Sequence, residues 1–475
     1  EWQLLNSGRM LNLRNLRNKK VGVLGLGKTG LSVVNALQQA GALLTCWDDD
    51  KEKRVNLGVN GVTVEDLKNK NLLRELDLLI VSPGIPHLYP KPHAVVSLAY
   101  ELNVRVDNDI GLFFSSHIQD EYESFSTPPK IITITGSNGK STATALAGHV
   151  FSKVFSDVEI GGNIGKPVLE LSPLKEGSIR ILELSSYQIE LAKNLSPNFA
   201  AFINFSSDHV ERHGGLGGYF YGKARLFLEN LTDMSVINID TAEGLFLYQR
   251  LISSENKIIA ITSKLNVKNY LWAVSLKGYF ITEWQKGRQI FSYDLRSLDN
   301  NLMTLGESIL VVYALARSYG IAPKSILSNC NGFMPLKHRN QKVDVIEGVA
   351  FINDSKATNV DATRHALKIY KNVHLILGGK AKENNFYQLQ DSMENVSRIY
   401  PIGEAASLIA SSFEGNKLEQ FNTLGNAFDK AVSHSRKGDT ILFSPACASF
   451  DQYLNFEERG DHFISLVEKH RKKLI

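Results

Sequence analysis

The feature that most constrains this chain is a repeated local pattern: a short, largely apolar run rich in β-branched residues, followed by a longer stretch of helical periodicity. Val21–Gly25, Leu76–Val81, Ile131–Thr135, Ile179–Leu184, Ala200–Asn204, Val373–Leu377 and Thr440–Phe443 are such runs. Runs that lack polar alternation read as strands covered on both faces, and a helix after each strand carries the chain back to start a parallel neighbour. The pattern predicts an α/β protein built on parallel sheets. Segment 255–300 departs from it, with aromatic, β-prone residues and few helix formers, and reads as a small antiparallel sheet.

A chain of 475 residues has room for about three domains at roughly 150 residues each. A polar stretch over Ser115–Lys130, ending in Thr127-Pro128-Pro129-Lys130, and a fresh α/β pattern after Gly332–Pro335 supply the breaks. The expected domains are 1–107, Rossmann-like; 108–334, a parallel sheet of phosphate-loop ATPase type with the small antiparallel sheet; and 335–475, again Rossmann-like. With 43% hydrophobic and 21% charged residues, each has material for its own core.

A net charge of +4, with acids and bases mixed along the chain, argues against nucleic acid and against an anionic membrane as partners. Cys46, Cys330 and Cys447 are too few and too scattered for a disulfide framework or a zinc site. No apolar run approaches the roughly 20 residues of a membrane span. The polar, basic start through Lys20 lacks the apolar segment of a signal peptide, so a cytoplasmic protein is expected. Residues 1–9, ahead of Met10, read as an extension.

Two glycine-rich turns carry the chemistry. In Val21-Gly-Val-Leu-Gly25-Leu-Gly27-Lys-Thr-Gly30 a strand enters a tight turn and then a helix running to about Ala40. Such a turn admits a phosphate to the free N–H groups of the helix start. Asp48, after the next strand, stands where an acid can hold a ribose. The turn reads either as a diphosphate site, for NAD or FAD or for a UDP-linked substrate, or as a bare structural turn; no hydride-transfer site is evident downstream. Ser82-Pro83-Gly84-Ile85-Pro86 follows another strand of the same domain.

The second turn is Gly136-Ser137-Asn138-Gly139-Lys140-Ser141-Thr142, between the run Ile131–Thr135 and a helix. Its backbone can cradle phosphates, Lys140 can reach the transferring phosphate, and a hydroxyl of Ser141 or Thr142 can hold Mg²⁺. The strict pattern places a further glycine where Ile134 stands. Glu183 and Ser185 lie at the end of one apolar strand, and Asp208 and His209 after another. Acids at strand ends beside a phosphate loop suit Mg²⁺, which favours oxygen ligands and keeps several waters. Asn163 sits in the turn Gly161-Gly162-Asn163-Ile164-Gly165.

Taken in order, Gly136–Thr142, Gly161–Gly165, Glu183–Gln188, Asp208-His209 and Leu336-Lys337-His338-Arg339 resemble the Mur ligases of peptidoglycan synthesis over nearly the whole chain. Asn353–Asn359 (Asn-Asp-Ser-Lys-Ala-Thr-Asn) and Ser444–Gln452 (Ser-Pro-Ala-Cys-Ala-Ser-Phe-Asp-Gln) resemble the branch of that family that handles D-glutamate.

The resemblance implies that ATP phosphorylates the alanine carboxylate of UDP-N-acetylmuramoyl-L-alanine, and that the amine of D-glutamate then displaces phosphate. It implies two Mg²⁺ ions held by Ser141, Glu183, His209 and a carbamylated Lys223, and a monomeric enzyme. Lys140, His209, Lys223 and Lys356 become the catalytic candidates. Residues 136–142, Arg339 and Asp354 become the ATP candidates. Thr29, Asp48, Asn163 and Ser185 would face the UDP-linked substrate; Thr358, Lys382, Ser449 and Phe456 would form the D-glutamate pocket. Closure of the C-terminal domain over the phosphate loop is expected, because water would destroy an acyl phosphate. Other amide ligases of the same fold, a nicotinamide-dependent oxidoreductase built on Gly25–Gly30 and a non-catalytic nucleotide-binding scaffold are the competing readings. One departure stands out: Ser308, Ile309 and Val312 occupy positions where the family carries a His and two Asn that help recognise adenine.

Overall fold

The first glycine turn explains the first layer. Strand β1 (Lys20–Leu24) ends at Gly25, and the helix Lys28–Ala40 starts two residues after Leu26. A Cβ on Gly30 would lie 1.8 Å from the carbonyl oxygen of Gly25, so only glycine lets the helix pack this close to the strand end. β2 (Leu43–Trp47), β3 (Val62–Val64), β4 (Leu78–Val81) and β5 (Val106–Asp107) complete a parallel sheet of order β3-β2-β1-β4-β5. The strand order reverses between β1 and β4, the crevice where doubly wound sheets bind ligands. The structure is a computed structural model that describes residues 13–55, 57, 61–116, 125–207, 210–229, 232–253, 257–381, 384–413 and 417–474.

The second sheet has nine strands: β6 (Lys130–Thr135), β7 (Val158–Gly162), β8 (Ile179–Glu183), β9 (Phe199–Phe202), β10 (Met234–Asn238), β11 (Ile258–Thr262), β12 (Trp272–Lys277), β13 (Phe280–Gln285) and β14 (Arg288–Asp294). Their order is β14-β13-β12-β11-β10-β9-β6-β8-β7. β7 to β12 and β6 run parallel, whereas β12, β13 and β14 form an antiparallel meander. Of the antiparallel element expected over 255–300, only β12–β14 is antiparallel; β11 pairs parallel on both sides, and the meander continues the main sheet as no separate layer. Buried Glu283 fastens it: its carboxylate accepts from Tyr313 Oη (2.6 Å), Arg317 Nε (2.8 Å) and Trp272 Nε1 (3.0 Å). These donors, with Arg317 Nη2 (3.1 Å) and Gln285 Nε2 (3.3 Å), offset the desolvation of this charge.

Two apolar clusters cover the faces of the large sheet. One runs on from Leu13, Val21 and Val33 of the first layer through Leu182 and Phe202 to Leu247. The other joins Ile132, Leu146, Phe151, Ile181 and the helix Gly306–Ser318. The shared cluster makes residues 1–333 one compact unit.

Residues 334–475 form a second unit. β15 (Gln341–Ile346), β16 (Val349–Asn353), β17 (Val373–Gly378), β18 (Val396–Ile402) and β19 (Thr440–Phe443) make a sheet of order β15-β16-β19-β17-β18. All its pairs are parallel except the β15–β16 hairpin. Separate apolar clusters cover its two faces, one around Leu375 and Leu442, the other around Phe351, Phe443 and Phe463. No helix among the described residues is long and apolar enough to cross a membrane.

Candidate functional site

Strand β6 delivers the phosphate loop. Gly139, with φ 83°, caps the helix Lys140–Ser152, a left-handed conformation that glycine adopts without a Cβ penalty. The helix start presents N–H groups that have no intrahelical acceptor. Asn204, just beyond β9, braces the loop from the neighbouring strand. Its Oδ1 accepts from the N–H of Ser137 (3.0 Å) and Asn138 (2.9 Å), and its Nδ2 donates to Asn138 O (2.9 Å). Ser137 Oγ donates to Ser206 O (2.9 Å), and Asn138 Nδ2 donates to Ser206 Oγ (3.2 Å). Lys140 folds over the loop and donates to the carbonyls of Gly136 (3.0 Å) and Ser137 (2.9 Å). Ser141 and Thr142 are buried, and Thr142 Oγ1 has no hydrogen-bond partner.

Glu183 closes β8, directly beside β6, where it pairs with Ile134. Its side chain is 1% exposed. Oε1 accepts from Asn163 Nδ2 at 3.0 Å, and Oε2 is buried with no donor. A carboxylate oxygen withdrawn from water and left without a donor suits a cation. With the buried Thr142 hydroxyl, it fits the oxygen-rich, partly open donor set that Mg²⁺ takes beside phosphates.

Lys223, also 1% exposed, lies in the helix Leu216–Leu228. Its Nζ donates to Gly136 O (2.9 Å) and sits 4.4 Å from the centroid of the Tyr219 ring. Ser185 caps the short helix Ser186–Leu191 in a reciprocal box with Gln188. Asp208 and His209 lie outside the described residues. The structure thus brings Gly136–Thr142, Glu183 and Asn163 to adjoining strand ends of one sheet, with Lys223 reaching the phosphate loop from the helix Leu216–Leu228.

A cavity of about 400 Å³ opens at the crevice of the first sheet. Gly25, Gly27, Lys28, Thr29, Asp48 and Ser82–Pro86 are among its lining. Asp48 is already engaged: Oδ2 accepts from Leu26 N–H (2.7 Å) and Oδ1 from Asp50 N–H (2.9 Å), so it holds the glycine turn in shape. Lys28 leaves this rim to donate to Gly165 O (3.1 Å), tying the cavity to the turn that carries Asn163.

In the second unit, Asp354 directly follows β16 and is 3% exposed. Its Oδ2 accepts from Ser444 Oγ (2.8 Å) and its Oδ1 from Asn340 N–H (3.1 Å). Burial pushes its carboxyl up to about 6, against these bonds and the nearby Arg339 cation. His338 (φ 61°) and Asn340 (φ 43°) flank Arg339 in left-handed conformations, and Ala446 (φ 57°) shares that geometry in the Ser444–Gln452 loop. Non-glycine residues so placed mark loops whose shape is held by their surroundings.

Lys356 Nζ lies 5.5 Å from the Phe456 ring centroid, and Ser355 Oγ donates to Phe456 O (2.8 Å). Thr358 follows on the same loop, its N–H bonded to Lys356 O (2.9 Å). Ser449 is buried, and its carbonyl accepts from Gln452 and Tyr453. Lys382 lies outside the described residues.

Sequence reasoning passed over Arg459. Its guanidinium donates to Ser355 Oγ (3.0 Å), Ser355 O (2.8 Å) and Cys447 O (3.1 Å), binding the two C-terminal motif loops together. Burial lowers its pKa to about 10. Its only sequence signal is a basic residue at the start of an amphipathic helix. Ile309 and Val312 are fully buried in the apolar cluster of the large sheet, so neither offers a hydrogen bond to a base.

Phosphate loop, buried carboxylate and the cavity of the first sheet together have the make-up of a phosphate-loop α/β nucleotide-using protein. Three family models cover the chain in order: a Mur ligase MurD-like N-terminal domain over residues 19–103, a Mur ligase middle domain over 134–309, and a Mur ligase glutamate ligase domain over 338–447. The UDP-N-acetylmuramoylalanine--D-glutamate ligase of Cereibacter sphaeroides is 41% identical over 97% of this chain and 99% of its own length. That of Roseobacter denitrificans is 42% identical over 97% of this chain and its full length. The chain belongs to the Mur ligase family, in the group of these relatives. Solved structures show the same fold at low identity: UDP-N-acetylmuramate-alanine ligase MurC of Thermotoga maritima (TM-score 0.57, 16% identity, 96% of this chain and 100% of that one) and MurF of Acinetobacter baumannii (TM-score 0.58, 14% identity, 94% of each).

Proposed function

We propose that this chain uses ATP to join D-glutamate to UDP-N-acetylmuramoyl-L-alanine in the cytoplasm. The 41% identity to ligases of that name, running through nearly all of both chains, is the observation that carries the reading.

A free carboxylate is a poor electrophile, so the first step is activation. A carboxylate oxygen of the alanyl group attacks the terminal phosphorus of ATP, a P–O bond forms, and ADP leaves. The amine of D-glutamate then attacks the acyl carbon, and the tetrahedral intermediate collapses with loss of phosphate. Such chemistry depends on alignment and on charge stabilisation.

In this reading the phosphate loop cradles the triphosphate and Lys140 turns from the Gly136 and Ser137 carbonyls to the transferring phosphoryl group. Mg²⁺, when bound, neutralises phosphate charge. Glu183 and a hydroxyl of Ser141 or Thr142 would hold it, with His209 and a carbamylated Lys223 as further ligands. The cavity lined by Thr29 and Asp48 takes the UDP moiety, with Asn163 and Ser185 nearer the reacting end. Arg339, Asp354 and Lys356 serve the nucleotide and reacting groups. Thr358, Lys382, Ser449 and Phe456 receive D-glutamate. In this reading the chain divides into domains 1–107, 108–334 and 335–475.

Phosphate release with Mg²⁺, ATP and UDP-N-acetylmuramoyl-L-alanine, run in parallel with D-glutamate, L-glutamate and meso-diaminopimelate, tests the proposal. Release and a new amide product with D-glutamate alone are expected; release with another amino acid, or none, contradicts it. Carbon-13 NMR after incubation with labelled bicarbonate checks Lys223: a carbamate signal lost in Lys223→Arg is expected, and an active enzyme without that signal contradicts the modification.

A further inference from the structure

His213 stands where three loops of the first unit meet, and it is not a residue that composition or spacing singles out. It ends the short turn Val210–His213 and is 3% exposed. Its Nε2 lies 2.9 Å from Ser186 Oγ. Its Nδ1 lies 2.9 Å from Glu190 Oε2, close enough for strong attraction although not aligned as a hydrogen bond. A carboxylate on that side favours the proton on Nδ1, so Nε2 accepts from the Ser186 hydroxyl. Ser, His and Glu in this order resemble an activated nucleophile, but Ser186 is only 2% exposed, its hydroxyl withdrawn from solvent. The hydroxyl is held in place, and so is the backbone next to Ser185.

The ring of His213 extends the contact in two further directions. It stacks on Tyr187 (centroids 5.2 Å, planes 8° apart) and leans on Tyr219 (5.3 Å, 46°). Tyr219 Oη is 3.1 Å from Ser137 Oγ in the phosphate loop. Arg212 places its guanidinium 4.7 Å from the Tyr187 centroid and donates to Gly84 O (3.2 Å) on the cavity rim. Glu190 Oε2 also lies 3.6 Å from Nε2 of buried His87, just beyond that rim.

We infer that His213 is a positioning residue for the proposed ligation, fixing the phosphate loop, the Ser185–Gln188 turn and the cavity rim in one geometry through Tyr219, Ser186 and Arg212. The inference rests on the ligase reading. A shift of about 1 Å among reacting groups costs on the order of a hundredfold in rate, so losing the polar contacts of His213 should appear in kcat.

The test compares wild type with His213→Phe, which keeps a ring against Tyr187 and loses both polar contacts, and with His213→Gln, whose amide can accept from Ser186 and donate to Glu190. The expected result is a kcat reduced at least about tenfold in His213→Phe, with KM for ATP and for the UDP-linked substrate within roughly threefold of wild type. His213→Gln should recover most of that rate. An inactive wild type puts the ligase reading at fault, leaving His213 nothing to position. An active wild type matched by His213→Phe overturns the inference about His213 alone. Losses that glutamine does not rescue, or that track a lowered melting temperature, make His213 a packing residue and overturn it as well.

Discussion

Besides a backbone bond from Asn163 N–H to Glu183 O (2.9 Å), Asn163 and Glu183 share a side-chain hydrogen bond, 3.0 Å from the carboxamide nitrogen to Oε1, which leaves the buried Oε2 of that carboxylate without a donor. The side-chain bond fixes the carboxylate plane and spares one oxygen for a cation.

Asn163→Ala should therefore weaken Mg²⁺ more than ATP. Loss of a partner that orients a metal ligand costs about 10–100-fold in metal affinity or activity. A Mg²⁺ titration of ADP formation at saturating ATP should shift to higher concentration by that order. An unchanged titration contradicts the role given to Glu183.

Asn204→Ala removes the acceptor that gathers the N–H groups of Ser137 and Asn138. Unsatisfied buried donors cost about 1–3 kcal/mol each. The expected outcome is a lower melting temperature together with a raised KM for ATP. A melting temperature that drops while the KM stays fixed would separate Asn204 from the phosphate loop's function.

Asp354 predicts a pH dependence with a definite sign. Burial raises its carboxyl from an ordinary 3.8 to about 6. Between those values the folded protein keeps a proton that the unfolded chain has released, so stability falls as pH rises through the window and stays low above it. The span corresponds to about 3 kcal/mol at most. Asp354→Asn, which keeps the shape without the charge, should flatten the difference in melting temperature between pH 4 and pH 7 relative to wild type. Parallel curves for the two proteins contradict the account.

Arg459→Lys tests the clamp on the C-terminal loops. A lysine cannot reproduce the fork that reaches Ser355 and Cys447 together. A raised KM for D-glutamate is expected, with KM for the UDP-linked substrate unchanged; equal effects on both would contradict a local role.

Although the interior strands Met234–Asn238 and Val349–Asn353 escape a reading from sequence, central runs such as Ile131–Thr135 and Thr440–Phe443 were legible because a strand buried on both faces is mostly apolar. Val62–Val64 and Val106–Asp107 were not, because edge strands of two or three residues carry no period to read. The meander Trp272–Asp294 was legible as antiparallel, but its continuity with the parallel sheet depends on the β11–β12 pairing, which no local pattern announces. The phosphate loop is written in contiguous residues and so is visible in the chain. Asn204, His213 and Arg459 act across 67, 27 and 104 residues of sequence, to Ser137, Ser186 and Ser355, and only the fold brings those partners together. From sequence Asp48 is a candidate ribose-facing acid; in the structure its oxygens already hold the backbone of the glycine turn.

In the proposed reaction the substrate's carboxylate passes through an acyl phosphate, and the fate of one carboxylate oxygen reports on that step. UDP-N-acetylmuramoyl-L-alanine labelled with oxygen-18 in its alanyl carboxylate, turned over with ATP and D-glutamate, should yield released phosphate carrying one labelled oxygen per amide formed. Unlabelled phosphate accompanying amide formation would show that the carboxylate is never phosphorylated, and would contradict the account.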